Sequence, residues 1–187
     1  METKINLVLL MIVVGAWAAM TAVDPARALE PSDVDVGELA VLEDAFATQR
    51  GDADVARELA ERYLEISQPA LAISALGSAP AEVREDPAVL HRLAQAYEAT
   101  GRMQDAFDTA SLALARCERA LGTRRASSVT PVPTHGCSER TYAALDYHMR
   151  AVGHLVRMGV VDPQNDPRTV TAYNLAIRSA RVLSAQR

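Results

Sequence analysis

Two short stretches of the chain share one spacing of leucine, alanine and tyrosine. They read Glu58-Leu59-Ala60-Glu61-Arg62-Tyr63 and Arg92-Leu93-Ala94-Gln95-Ala96-Tyr97. The shared positions differ by 34 in the numbering (93 − 59 = 34), and the same offset relates Ala72 to Ala106. A period of this length accommodates two helices and their turns, so the recurrence predicts tandem helix pairs.

The sequence on both sides of these stretches favours helix almost throughout. Alanine is abundant, and apolar residues recur at spacings of three and four. Asp86 can cap a helix that has Pro87 in its first turn, and Ser138 can cap a later one. These signals predict an all-α fold.

The repeated residues resemble the tetratricopeptide repeat family, although neither copy has the family's tryptophan. The resemblance implies antiparallel helix pairs stacked as an α-solenoid, with clear repeats over about 53–86 and 87–120 and a degenerate pair over 138–185. Large and small side chains then fill the seams between helices. The repeat-packing residues are Leu59, Ala60, Tyr63, Ala72, Leu93, Ala94, Tyr97 and Ala106.

In this family the first helix of each pair lines a groove that binds peptides or protein segments. Carried over by register, the candidate partner-binding positions are Arg57, Glu61, Leu64, His91, Gln95 and Glu98. Two of these six are acidic, so we expect the groove to prefer basic or neutral segments. Glu61, Gln95 and Glu98 do not match the family's pattern for clamping a peptide carboxylate.

The N-terminal segment is apolar. Residues 5–23 carry no charge, and 19 helical residues span about 28 Å, close to the thickness of a bilayer core. Pro25 follows, and Ala26 and Ala28 are small residues typical of a cleavage site. We expect residues 1–28 to be a signal peptide or an N-terminal membrane anchor, leaving residues 29–187 as one helical domain. Both alternatives predict a periplasmic or otherwise exported protein that meets the membrane only if this segment is uncleaved.

The two cysteines, Cys117 and Cys137, form an even set in a chain expected to be exported, which favours a disulfide. We expect the helix that begins at Met103 to end at Cys117, before a polar loop over 118–137. Two free thiols and a metal site that uses His135 remain open alternatives. Zinc sites usually need four ligands, and no second ligand pair lies near in sequence.

Charge is divided between the two halves of the chain. Residues 29–110 hold 17 acidic and 6 basic side chains, a net charge of −11, whereas residues 111–187 hold 5 and 11, a net charge of +6. The whole chain carries −5 and only 4% aromatic residues, which argues against nucleic-acid binding. The division is consistent with two solvated faces or with a bipolar surface that favours head-to-tail association.

The sequence lacks the common catalytic motifs: a zinc-binding His-Glu-x-x-His, a nucleophile elbow, a phosphate-binding glycine loop and a dinucleotide fingerprint. We therefore expect no catalytic residue, metal or cofactor, and a non-enzymatic scaffold of the cell envelope that binds a peptide or protein. One alternative is a structural subunit that completes a larger helical assembly, including a homo-oligomer. An enzyme with an unrecognised site is the other.

Overall fold

A computed structural model describes residues 36–126 and 137–185, and over these ranges the chain forms eight α-helices. They are α1 (Val36–Thr48), α2 (Ala53–Glu65), α3 (Pro69–Ser78), α4 (Ala81–Arg84), α5 (Pro87–Ala99), α6 (Met103–Ala126), α7 (Glu139–Met158) and α8 (Arg168–Ala185). The prediction of an all-α fold is confirmed for these residues. The expected signal or anchor segment, residues 1–28, and His135 lie outside the described ranges.

Helices α2 and α5 begin with the same local structure at equivalent positions of the repeat. The Asp52 carboxylate accepts hydrogen bonds from the backbone N–H groups of Asp54 and Val55 at 2.9 and 3.2 Å. Asp86 does the same for the N–H groups two and three residues further on, at 2.8 and 3.2 Å. Each cap satisfies two of the donors that a helix start leaves unpaired.

The helices pack in chain order. Each of the longer helices contacts the next one, from α1 against α2 through to α7 against α8, while the single-turn α4 lies against α2 and α5. In addition, α2 packs against α5, and α5 packs against α7. Helices α2, α5 and α7 therefore form a continuous row.

The repeated alanines are fully buried in the core. Ala60 and Ala94 in the first helices, and Ala72 and Ala106 in the second helices, are all 0% exposed. A methyl side chain lets neighbouring backbones approach closely, which explains why small residues recur at these positions.

The two repeated tyrosines have partly different environments. Tyr63 is buried and donates a hydrogen bond to Glu43 of α1 at 2.7 Å, whereas Tyr97 is half-buried. The Arg102 guanidinium lies 4.4 Å from the centre of the Tyr97 ring, where it makes a cation–π contact. The two tyrosines occupy equivalent positions in the sequence, but the residues around each ring differ because different helices precede α2 and α5.

Helix α6 does not end at Cys117, as the sequence led us to expect, but continues to Ala126. Residues 118–126, which were expected to begin the loop, are helical, because residues 118–121 are good helix formers and no proline lies between residues 118 and 130. Cys117 is fully buried within α6, and its sulfur lies at disulfide-bonding distance from that of Cys137, with their Cα atoms 5.4 Å apart. The pair ties the middle of α6 to the start of α7.

None of the helices formed by residues 36–126 and 137–185 combines the length and the apolar character needed to cross a bilayer.

Candidate functional site

Two adjoining depressions follow the row formed by α2, α5 and α7. The first, which we call the basic pocket, measures about 550 Å³; its polar lining is Asp54, Arg57, His91, Arg92, Ser138, Arg140 and Thr141. The second, which we call the acidic pocket, measures about 530 Å³; its lining includes Glu61, Leu64, Glu65, Arg92, Gln95, Glu98, Thr169 and Tyr173. Arg92 lines both pockets, so they form one furrow.

All six residues that the sequence nominated for partner binding lie in this furrow. Arg57 and His91 line the basic pocket, and Glu61, Leu64, Gln95 and Glu98 line the acidic pocket. Whether they bind a partner stays a prediction. Their common location follows from the packing of α2 against α5, since the six positions form three pairs at the offset of 34.

The carboxylate of Glu61 is shared by two arginines. Arg92 approaches it at 2.7 Å from α5, and Arg57 approaches it at 3.5 Å from the preceding turn of α2. Glu65, at the edge of the same pocket, pairs with Arg62 at 2.9 Å. These pairs reduce the negative potential of the furrow, and with it the basis for expecting a preference for basic segments.

Glu98 is held by two side chains from later helices. Its Oε2 lies 2.8 Å from Nε2 of His148 on α7, and its Oε1 accepts a hydrogen bond from the Tyr173 hydroxyl of α8 at 2.7 Å. The side chains of Glu98 and His148 are 13% and 6% exposed. Burial and the negative charge of Glu98 raise the pKa of Tyr173 well above its ordinary value, so the phenol is a hydrogen-bond donor at every physiological pH. This cluster joins α5, α7 and α8 beneath the furrow.

His91 packs against His148, with ring centres 5.0 Å apart. Burial lowers the pKa of His91 to about 3, and the neighbouring His148 and Arg92 add to the effect. His91 is thus half-buried and neutral at pH 7. Its partner His148 has a buried Nδ1 without a hydrogen-bond partner.

The described side chains offer no cluster of three or more histidine, cysteine or acidic residues able to hold a metal ion. The acidic groups nearest the furrow are taken up by arginine, histidine or tyrosine, as Glu61 and Glu98 show.

The furrow residues that sequence reasoning did not nominate include Arg92, Arg140 and Tyr173. Arg92 directly follows the nominated His91, so it would have been found if the sequence neighbours of each nominated position had been considered. Arg140 and Tyr173 belong to the third pair, which lacks the repeat signature, so no register was available to place them.

No protein-family model matches this chain, and no curated protein or solved structure matches it either.

Proposed function

We propose that this chain is a non-enzymatic docking module of the cell envelope, which holds a peptide or a segment of a partner protein in the furrow along α2, α5 and α7. It is exported, and its N-terminal segment is either removed or kept as an anchor. The observation that carries the proposal is the convergence of six positions, nominated by repeat register alone, on two pockets that share Arg92.

The proposal includes the architecture of a tetratricopeptide-like solenoid. Three-residue turns join α2 to α3 and α5 to α6, and helices that pack across so short a turn run antiparallel. The pairs α2/α3 and α5/α6 share caps and buried alanines at an offset of 34, and α7/α8 supplies a third pair. About three such units are usually needed for a stable stack.

A surface used for docking needs both apolar contact and polar groups with unused hydrogen-bonding capacity. The acidic pocket supplies the first through Leu64, Ala99 and the ring of Tyr173. The basic pocket supplies the second through Arg57, whose two ion pairs are each 3.5 Å long, and through Arg140, which is exposed. A segment laid along the furrow meets both.

Site-specific photocrosslinking in the intact envelope tests this function. A photoreactive residue at Leu64 or Gln95 is expected to give the same discrete adduct, since both positions line the acidic pocket. The matched control is Leu112, which is 43% exposed on α6 and is absent from the lining of both pockets. Adducts that are identical at Leu112 and Gln95, or no adduct at either furrow position, would contradict docking in the furrow.

Charge reversal at Glu61 is a usable second test, whereas reversal at Glu98 is not. A lysine at position 98 would remove the partner of both His148 and Tyr173 and damage the fold. A changed yield of the adduct in Glu61→Lys with unchanged circular dichroism would support binding in the furrow, since the substitution releases Arg57 and Arg92 and reverses a charge in its lining.

A second candidate, a structural subunit that completes a larger helical assembly, is favoured by the outer face of α8. Val170 and Ile177 are seven residues apart on that helix and are 67% and 37% exposed. A helix side with two exposed aliphatic residues suits a further helix, and the opposite charges of the two halves of the chain favour head-to-tail contact. Sedimentation equilibrium over a hundredfold concentration range would show self-association that the double variant Val170→Glu/Ile177→Glu abolishes; a monomer throughout would exclude a homo-oligomer.

A further inference from the structure

We propose that the basic pocket selects a side-chain carboxylate, from an aspartate or glutamate within the bound segment. This inference rests on the proposed docking function and assigns the chemistry of one position in the ligand.

Three arginines from three different helices line the basic pocket. Arg57 comes from α2, Arg92 from α5 and Arg140 from the first turn of α7. Arginine presents several N–H donors in a planar fork that matches the two oxygens of a carboxylate. Because the three arginines come from separate helices, they can contact one ligand group from several sides.

Much of the donor capacity of these arginines is unused. Arg57 forms ion pairs with Asp54 and with Glu61, and in each the N···O distance is 3.5 Å, which is long for a hydrogen bond. Arg140 is exposed, and no acceptor among the described residues pairs with it. Arg92 is the most engaged, through Glu61 at 2.7 Å and Gln95 at 3.0 Å. A ligand carboxylate would therefore be held mainly by Arg57 and Arg140.

The charge balance fits one carboxylate. The three arginines contribute +3, and the two carboxylates in contact with them, Asp54 and Glu61, contribute −2, which leaves +1. His91 adds no charge near pH 7, because burial keeps its imidazole neutral. The N-terminus of the 20-residue α7, capped by Ser138, adds a partial positive charge. A single carboxylate would neutralise this net charge of +1, whereas a phosphate dianion would leave the pocket with a net negative charge.

The pocket is open at both ends, so the carboxylate belongs to an internal residue of the segment. On one side it continues through Arg92 into the acidic pocket. On the other side it shares Asp54, Arg57 and Ala88 with a third depression of about 620 Å³, whose other acidic lining residues are Asp52, Glu82 and Asp86. A chain can pass through in both directions, and the acidic neighbourhood on either side disfavours a second carboxylate next to the first.

Small-molecule probes test this selection without knowledge of the partner. The full chain would be titrated with N-acetyl-glutamate N-methylamide, which mimics an internal glutamate, and followed by NMR at the arginine Nε–Hε signals and the Thr141 amide. We expect saturable shifts at Arg57, Arg140 and Thr141. Arg140→Gln should weaken binding about fivefold, the upper range for one exposed ion pair. The matched control Arg157→Gln, an exposed arginine at the other end of the same helix, should leave it unchanged.

Three further probes separate the alternatives. Equal shifts with the glutamine analogue would show that the pocket does not recognise the charge of the ligand. Tighter binding of N-acetyl-alanine would assign the pocket to a chain terminus, and tighter binding of inorganic phosphate would assign it to a phosphoryl group. Each of these outcomes overturns the proposal, as does the absence of saturable shifts. None of these outcomes affects the crosslinking at Leu64 and Gln95, so a failure of carboxylate selection is distinguishable from a failure of docking.

Discussion

Ser67 and Gly101, which occupy equivalent positions of the two repeats (101 − 67 = 34), end their helices with the same left-handed turn. Their φ angles are +57° and +75°. In each turn the next residue donates its N–H to the tyrosine carbonyl of the preceding helix: Gln68 to Tyr63 at 2.7 Å, and Arg102 to Tyr97 at 2.9 Å. This is the Schellman pattern, in which a left-handed residue lets the chain satisfy the last helical carbonyls and reverse direction. The repeat thus extends to backbone conformation, beyond the side chains that reveal it in the sequence.

These two positions predict opposite responses to substitution. Gly101→Ala should lower the free energy of unfolding by about 2 kcal/mol or more, because a left-handed L-residue costs about 1–2 kcal/mol, and because the added Cβ would lie 2.6 Å from the Val161 carbonyl oxygen. Ser67→Gly should be neutral or slightly stabilising, since glycine relieves the strain but adds entropy to the unfolded chain. Urea denaturation of both variants measures the difference; equal destabilisation by the two would contradict it.

The paired caps predict a second set of stability effects. Asp52→Ala should lower the free energy of unfolding by about 1 kcal/mol. Asp86→Ala should lower it further, because Asp86 is only 8% exposed and one of its N–H donors belongs to the buried Val89. Asn is a comparable cap, so Asp86→Asn serves as the control and should recover most of the loss. Equal urea midpoints for Asp86→Ala and Asp86→Asn would show that capping is not the source of the effect.

The cysteine pair predicts a redox-dependent stability. A bond between Cys117 and Cys137, 20 residues apart, should stabilise the fold by about 3 kcal/mol through the entropy of the unfolded chain. The double variant Cys117→Ser/Cys137→Ser should lose this amount and become insensitive to reducing agent. Intact mass gives the direct check, because the bonded form is about 2 Da lighter than the reduced form. A purified chain with two alkylatable thiols would contradict the bond.

His91 predicts a pH dependence in the acid range. The unfolded imidazole takes up a proton below about pH 6.5, whereas the folded one, with a pKa of about 3, stays neutral. The unfolded state therefore binds more protons between these values, so the contribution of His91 to stability is complete above about 6.5 and is lost as the pH falls toward 3. The groups that face it are His148 from α7, the adjacent Arg92, and Asp54, Arg57 and Arg140 across the basic pocket.

Replacing His91 should flatten this profile. Urea midpoints measured at pH 7, 5.5 and 4.5 are expected to fall less steeply for His91→Gln than for the unmodified chain. His154→Gln is the comparison: burial and Arg157 also lower the pKa of His154, so this variant measures what a histidine on the far part of α7 adds to the acid response. Parallel profiles for the unmodified chain and His91→Gln would show that another group governs the acid response.

The local features of the fold were accessible from the sequence. The starts of the helices at Pro87 and after Ser138 followed from a capping residue and a proline, which act over three or four residues. The end of α6 was placed nine residues too early, because a cysteine in a polar stretch gives no local stop signal. The helical pattern of the sequence located α7 and α8, but it did not predict how these two helices are aligned against the preceding ones.

The sequence by itself determined the offset of 34, the all-α class of the described residues and the six positions that line the furrow, because helix propensity, capping and sequence spacing are short-range properties. Only the tertiary structure decided that Glu98 meets His148 and Tyr173, 50 and 75 residues later, and that Arg140 joins Arg57 and Arg92. Those contacts depend on how far a whole helix pair is rotated and shifted against the previous one. That rotation is set by the packing of many buried side chains together, and no single residue in the sequence records it.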